Sequence, residues 1–187
     1  MITLAATGGV PWVDLATYAS GFSDVKLLNF VLWFVLGSAF VHVVVCVHAV
    51  TPERLRSLSL TALTFAVMYA AMVSVNYGLQ FTFVRQSLYR GDLAGLEPWI
   101  AANPTSAIFA VDILAYMFQG ISTLCLAPSF RGGRVVAAIR GLFVFNGPLG
   151  IGGLAAIVLG SFGSRRCAVC ASCSARFTFD RDAEAAR

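Results

Sequence analysis

Asp112 is the carboxylate with the most unusual setting in this chain, standing among Ile108, Phe109, Val111, Ile113 and Leu114 in an apolar stretch over residues 104–127. A charge in hydrocarbon is costly, so an acid there marks an ion path, a ligand site, a proton relay or a polar partner on a neighbouring helix. Thr105, Tyr116, Gln119 and Thr123 recur near the same helical face as Asp112. A preceding apolar stretch, residues 58–84, offers Asn76, Tyr77 and Gln80, with Asn76 and Gln80 one turn apart. At 1.5 Å per residue, Asp112 lies about 12 Å from residue 104 and Asn76 about 12 Å from residue 84. If the two stretches are antiparallel neighbours, these side chains are level.

That depth match predicts a polar pocket of Asp112, Asn76, Gln80 and Tyr116, with Tyr77 and Gln119 at its margin, beneath the connection 85–102. Without a cation nearby, burial favours the neutral acid, which could donate a hydrogen bond to Asn76 or Gln80. Three roles fit the pattern. The residues tie two helices together, as polar side chains often do in membranes, or they form a ligand or proton site, or Asp112 pairs with an arginine. Arg140 is the candidate for that pair, but it enters from the opposite face and should snorkel back to water. A thinner layer of His42, Gln119 and Asn146 is expected deeper down, beside a bend at Asn146-Gly147-Pro148, where proline removes a backbone donor.

The thiols and imidazoles are less specific. Cys167, Cys170 and Cys173 form CxxCxxC just after Arg165-Arg166. Three thiolates at this spacing resemble part of an iron–sulfur or zinc site that lacks its fourth ligand. A redox role for Cys167 and Cys170, lipidation, and a flexible tail with free thiols all remain open. His42 and His48 share one apolar stretch and point about 240° apart, so they cannot clamp one haem iron within a single chain. His42 and Cys46 share a face without a companion carboxylate. No metal site is predicted, and each histidine is expected to be satisfied by a neighbour.

These groups must be carried by helices in a lipid bilayer. The chain is 58% hydrophobic and 12% charged, with a mean hydropathy of +0.81. Residues 27–50, 58–84, 104–127 and 135–162 each exceed the roughly 20 apolar residues that cross about 30 Å of hydrocarbon. None alternates as a barrel strand would. The expected fold is therefore all-α: a transmembrane four-helix bundle of up-down topology, with a bacterial plasma membrane as its expected location. Residues 1–26 form a tail in which Trp12, Leu15, Tyr18 and Phe22 suggest a short interfacial helix. That segment lacks the basic n-region of a signal peptide. Residues 163–187 read as a flexible, cysteine-containing tail. Asn103-Pro104 and Thr51-Pro52 read as helix starts. The connection 85–102 is long enough for a small lid. Basic residues near the span ends number five on each side, so positive-inside counting leaves orientation tied.

Helix packing has its own signal. Ala62, Ala66, Ala70, Ser74, Gly78 and Thr82 occupy every fourth position, and Gly152, Ala156 and Gly160 repeat the pattern in the fourth span. Small residues at this spacing let backbones approach closely, within one bundle or between copies. Asn76-Tyr77, Gln80, Val84-Arg85, Asn103-Pro104, Asp112, Tyr116, Gly120 and Ala127-Pro128 together give a stretch that resembles small uncharacterised four-span bacterial membrane proteins. The resemblance implies four-helix integral membrane architecture and carries no activity.

No GxGxxG, P-loop, GxSxG or HExxH motif occurs, and no basic–aromatic cluster points to nucleic acid. The expected function is a non-enzymatic membrane component. It would be a subunit of a larger membrane assembly or homo-oligomer, or a binder of a small or lipidic ligand between spans two and three. No cofactor is predicted, though a bound lipid or quinone fits the setting. The alternative is a membrane redox enzyme or proton-coupled carrier using Asp112 or the CxxC thiols.

Overall fold

The computed structural model describes residues 12–184, with side chains at 12–25 and 27–160. The described residues are helical with no strand. In chain order the helices are α1 (Leu15–Ser20), α2 (Asp24–Val50), α3 (Arg56–Leu79), α4 (Arg85–Arg90), α5 (Ala107–Leu126) and α6 (Arg134–Glu184). A π-helical turn, Gln80–Val84, joins α3 to α4 without a break. Four helical stretches are long and apolar enough to cross a membrane: Leu27–Val50, Glu53–Arg90, Ala107–Ser129 and Arg134–Gly160.

Two compact units divide the chain, Met1–Ile151 and Gly152–Arg187. The second consists, over its described residues, of the later part of α6. That helix carries on to Glu184, past position 162, where composition places the end of the fourth span and the start of a tail. Hydropathy marks where apolar residues stop, and a helix needs no apolar residues to continue.

In the first unit α3 is central, packing on α2 and on α5. On the α2 side Phe30 stacks on Tyr77 with centroids 5.8 Å apart, Phe40 meets Tyr69 edge-on at 5.5 Å, and His48 Nδ1 lies 2.7 Å from Ser59 Oγ. On the α5 side Ser122 donates to the Ala62 carbonyl at 2.7 Å. These contacts bury a row of small and aromatic residues of α3: Ser59, Ala62, Ala66, Tyr69, Val73, Asn76 and Tyr77. The helix has no apolar stripe facing a polar one, because its outward residues are apolar too (Leu60, Val67, Met68 and Val75 are exposed). A helix apolar all round needs an apolar surrounding.

The helix ends differ from expectation in two places. α5 begins at Ala107, where Ser106 Oγ accepts from the Phe109 amide at 3.0 Å, rather than at Asn103-Pro104. Asn103 instead turns the chain just before it, accepting from the amide and hydroxyl of Thr105 at 3.0 and 2.8 Å. The tetrad Asn103–Ser106 holds three residues able to cap, Asn103, Thr105 and Ser106, and the one next to the apolar run takes the role. Thr51 closes α2, its hydroxyl donating to the Val47 carbonyl at 2.7 Å, and Pro52 precedes a 3-10 turn at Glu53–Leu55 ahead of α3.

The connection after α4 folds as a cap. Gly91, at φ 73°, ends α4 in the left-handed conformation that glycine adopts without penalty, and the Asp92 amide reaches back to the Ser87 carbonyl at 2.9 Å. Leu96, Ile100 and Ala102 are buried with Val84, and Trp12, Leu15 and Tyr18 from the α1 region pack against them. α1 is short and starts at Asp14, whose carboxylate accepts from the Thr17 amide at 2.7 Å. Asp24 joins the same region: its carboxylate takes a hydrogen bond from Tyr89 and lies 3.2 Å from Arg85 Nε, which together hold it below the usual carboxylate range.

Candidate functional site

Asp112 sits one and a half turns into α5, and Asn76 lies near the end of α3. Asn76 Nδ2 donates to Asp112 Oδ1 at 2.7 Å. Tyr77, next in the chain, puts its hydroxyl within hydrogen-bonding reach of both Asp112 and Tyr116. Asp112 and Tyr116 are one turn apart on α5, so helical spacing alone delivers both to this contact. The Tyr116 ring is 6.0 Å from that of Tyr69. Asn76 is 0% exposed and Asp112 5%, so the group is sealed between helices. One atom lacks a partner: Asn76 Oδ1 is buried with no donor. A carboxylic acid and a primary amide can exchange two hydrogen bonds, and the neutral form of Asp112 carries the kind of proton this oxygen lacks.

Gln80 goes elsewhere. Its Nε2 donates to the Trp99 carbonyl at 2.8 Å and its Oε1 accepts from the Ala101 amide at 3.2 Å, so both ends of the side chain fasten the cap. Gln80 opens the π turn, a local widening of the helix that often accompanies a functional or irregular contact. Replacing Gln80 by leucine leaves two backbone groups of the cap without partners, at about 1–3 kcal/mol. Hydrogen exchange at the Ala101 amide should accelerate well over that at residues within α3. Unchanged exchange would contradict this anchoring role.

Gln119 lies on a different surface again. It lines a groove of about 510 Å³ bounded by Phe40 of α2, Gln119 and Thr123 of α5, and Phe143, Asn146 and Leu149 of α6. Asn146 Nδ2 donates to Thr123 Oγ1 at 3.2 Å, and that hydroxyl donates to the Gly120 carbonyl at 2.9 Å. The Gln119 amide makes no hydrogen bond among the described residues and is half-buried. The groove is therefore apolar, open to one side, and furnished with one unpartnered amide. His42, expected at this depth, is exposed instead.

Below the groove α5 and α6 touch through glycines. A Cβ added to Gly150 would lie 2.6 Å from the Tyr116 carbonyl oxygen, and one on Gly120 would lie 2.9 Å from that of Gly147. None of the three is expected from sequence as a packing residue: Gly147 stands only in a bend and Gly120 only in the resemblance. Their signal is Gly147 and Gly150 three apart, facing a lone Gly120, whereas the expected stripes repeat every four. Of the small residues it did single out, Ala62 and Ala66 are fully buried, and Ala70 lies by Gly37 of α2, whose added Cβ would be 3.7 Å from the Ala70 Cα. Ser74 and Gly78 are half-buried, and a Cβ on Gly78 would meet nothing within 4 Å. Gly152, Ala156 and Gly160 belong to the second unit.

His48 is the histidine with a neighbour, Ser59. No group of three metal-ligating side chains occurs among the described residues. Cys46 is exposed and Cys125 half-buried, both free. Cys167, Cys170 and Cys173 lie on α6 beyond the residues whose side chains are described. The one ion pair among the described residues is Arg85 with Asp24, so Arg140 does not pair with Asp112. No protein-family model, curated protein or solved structure matches the chain.

Proposed function

We propose that this chain is a non-enzymatic integral membrane protein, an up-down bundle of four spans, that binds a lipidic ligand in the groove between α2, α5 and α6. Support for the topology comes from pairs whose numbers rise on one helix as they fall on the next: Phe30–Tyr77 and Phe40–Tyr69, then Asn76–Asp112 and Ala62–Ser122. Support for the membrane comes from exposed Leu28, Leu32, Val35, Leu36 and Val43 along α2, a contiguous apolar surface that water would not tolerate.

The Gln119 amide carries the ligand reading. An amide without a partner in an apolar setting costs several kcal/mol unless something supplies its hydrogen bonds. A ligand with an isoprenoid or acyl tail and a carbonyl or hydroxyl head satisfies both the walls and the amide, which makes quinones and neutral lipids the expected class. The Asn76–Asp112 contact serves as the tie that holds α3 to α5, and the groove does the binding.

In vesicles containing a long-chain ubiquinone carrying a photoreactive group, cross-linking should map to Phe40, Phe143 or Asn146. Gln119→Leu should lower the yield about tenfold, as loss of one well-made buried hydrogen bond predicts. Asp112→Asn should leave it unchanged. Equal labelling in the Gln119→Leu protein would reject the groove as the binding site.

A further inference from the structure

A second and larger recess, about 950 Å³, shares Phe145 with the Gln119 groove and is lined also by Phe130, Arg131, Arg140, Val144 and Pro148. Its two ends differ in chemistry. Arg131, in the turn before α6, and Arg140, within the second turn of that helix, both line it and both are exposed, towards the start of α6. From Arg140 to Pro148 the wall runs about 12 Å along the helix at 1.5 Å per residue and is apolar. Among the described residues no acidic side chain lines the recess, Arg140 has no carboxylate partner, and Arg131 Nε has only a long 3.4 Å bond to the Pro128 carbonyl.

Two cations that line one recess repel each other, and screening at the membrane interface lessens that repulsion without removing it. A phosphate group between them removes that repulsion and offers the planar guanidinium its best partner, through paired N–H donors. The apolar wall beyond suits an acyl chain entering the hydrocarbon. An arginine at such a position can reach the headgroups while its aliphatic stem covers apolar surface.

We propose that the recess binds one anionic phospholipid, with the phosphate held by Arg131 and Arg140 and an acyl chain laid along Val144, Phe145 and Pro148. This rests on the membrane reading above and is separate from the quinone-class ligand at Gln119. Basic residues near a membrane surface attract anionic lipids individually, at about 1 kcal/mol each, so removing both should weaken binding roughly thirtyfold.

Native mass spectrometry of the detergent-solubilised full chain, titrated with phosphatidylglycerol or with phosphatidylcholine of the same acyl chains, tests the idea. One retained phosphatidylglycerol, with phosphatidylcholine at least about tenfold weaker, is the expected result. The Arg131→Gln/Arg140→Gln protein should lose the preference, and Arg131→Lys/Arg140→Lys should restore part of it. Equal retention of both lipids, or a preference that survives the glutamine pair, overturns the proposal. Should the glutamine pair misfold, a photoreactive phosphatidylglycerol applied to the unaltered protein decides: labelling at Val144 or Pro148 supports the site, and labelling confined elsewhere overturns it. Extraction of membranes at alkaline pH separates the two readings. Release of the protein from the bilayer defeats the membrane reading itself, whereas retention with no lipid preference defeats this site alone.

Discussion

Replacing Gly150 by alanine is expected to loosen α6 from α5, although alanine is otherwise the best helix former. The added Cβ would stand 2.6 Å from the Tyr116 carbonyl oxygen, closer than carbon and oxygen can approach. That oxygen belongs to a backbone held in the helix, so no rotamer change relieves the clash and the two helices must part. Overpacking of this kind costs about 1–3 kcal/mol, and leucine should cost more than alanine. Gly147 differs in kind: its Cβ would run into Leu124 Cγ, so Gly147→Ala forces Leu124 into another rotamer, whereas Gly150→Ala pushes on backbone. Gly141, with nothing within 4 Å, is the control, because alanine there gains up to about 1 kcal/mol of helix propensity. Thermal unfolding in detergent and cross-linking between α5 and α6 would read the order. A Gly150→Ala protein as stable as Gly141→Ala would refute the close approach.

Asn76→Leu is expected to be among the most damaging substitutions of a polar residue. It removes the 2.7 Å bond to Asp112 and leaves a carboxyl group that is 5% exposed with only the Tyr77 hydroxyl in reach. The loss should be about 1–3 kcal/mol, the penalty for an unsatisfied buried group. Asp112→Leu should cost a similar amount by stranding the Asn76 amide. The double substitution should recover most of the loss, since replacing both partners by apolar groups is nearly neutral, and the non-additivity measures their coupling. Asp112→Asn should stay within about 1 kcal/mol of the parent, because a second amide still accepts from Asn76 and adds a donor for its unpartnered oxygen. Equilibrium unfolding in detergent checks all four proteins. Additive single losses would show that the two residues act separately.

The Asn76–Asp112 contact was legible before any coordinates, because depth along a helix is a matter of counting and lipid penalises an unpaired acid strongly. The four apolar helices were legible for the same reason: length and hydropathy decide them. Gln80 was not, since its partners are the Trp99 carbonyl and Ala101 amide, and backbone groups in a turn leave no trace in residue type. The start of α5 at Ala107 was misread because Asn103 and Ser106 are equally good caps on paper. Gln119 was grouped with Asp112 by seven-residue spacing, yet α6 covers that part of α5 and draws Gln119 into a groove with Asn146. Which neighbour covers a helix face is a tertiary fact. It depends on Gly120, Gly147 and Gly150, whose absence of side chains gives little to read.

The π turn at Gln80–Val84 has a consequence for how the chain tolerates changes in length. A π turn is an α-helix holding one surplus residue, and here it lies between the long apolar helix α3 and the cap that follows α4. Losing one residue anywhere inside α3 would rotate everything beyond it by about 100° and turn the buried face outward. Losing one within the turn, Gln80 itself excepted, lets it relax to ordinary α-helix while both flanks keep their bearings. The chain thus carries a single residue of slack at the boundary between bundle and cap.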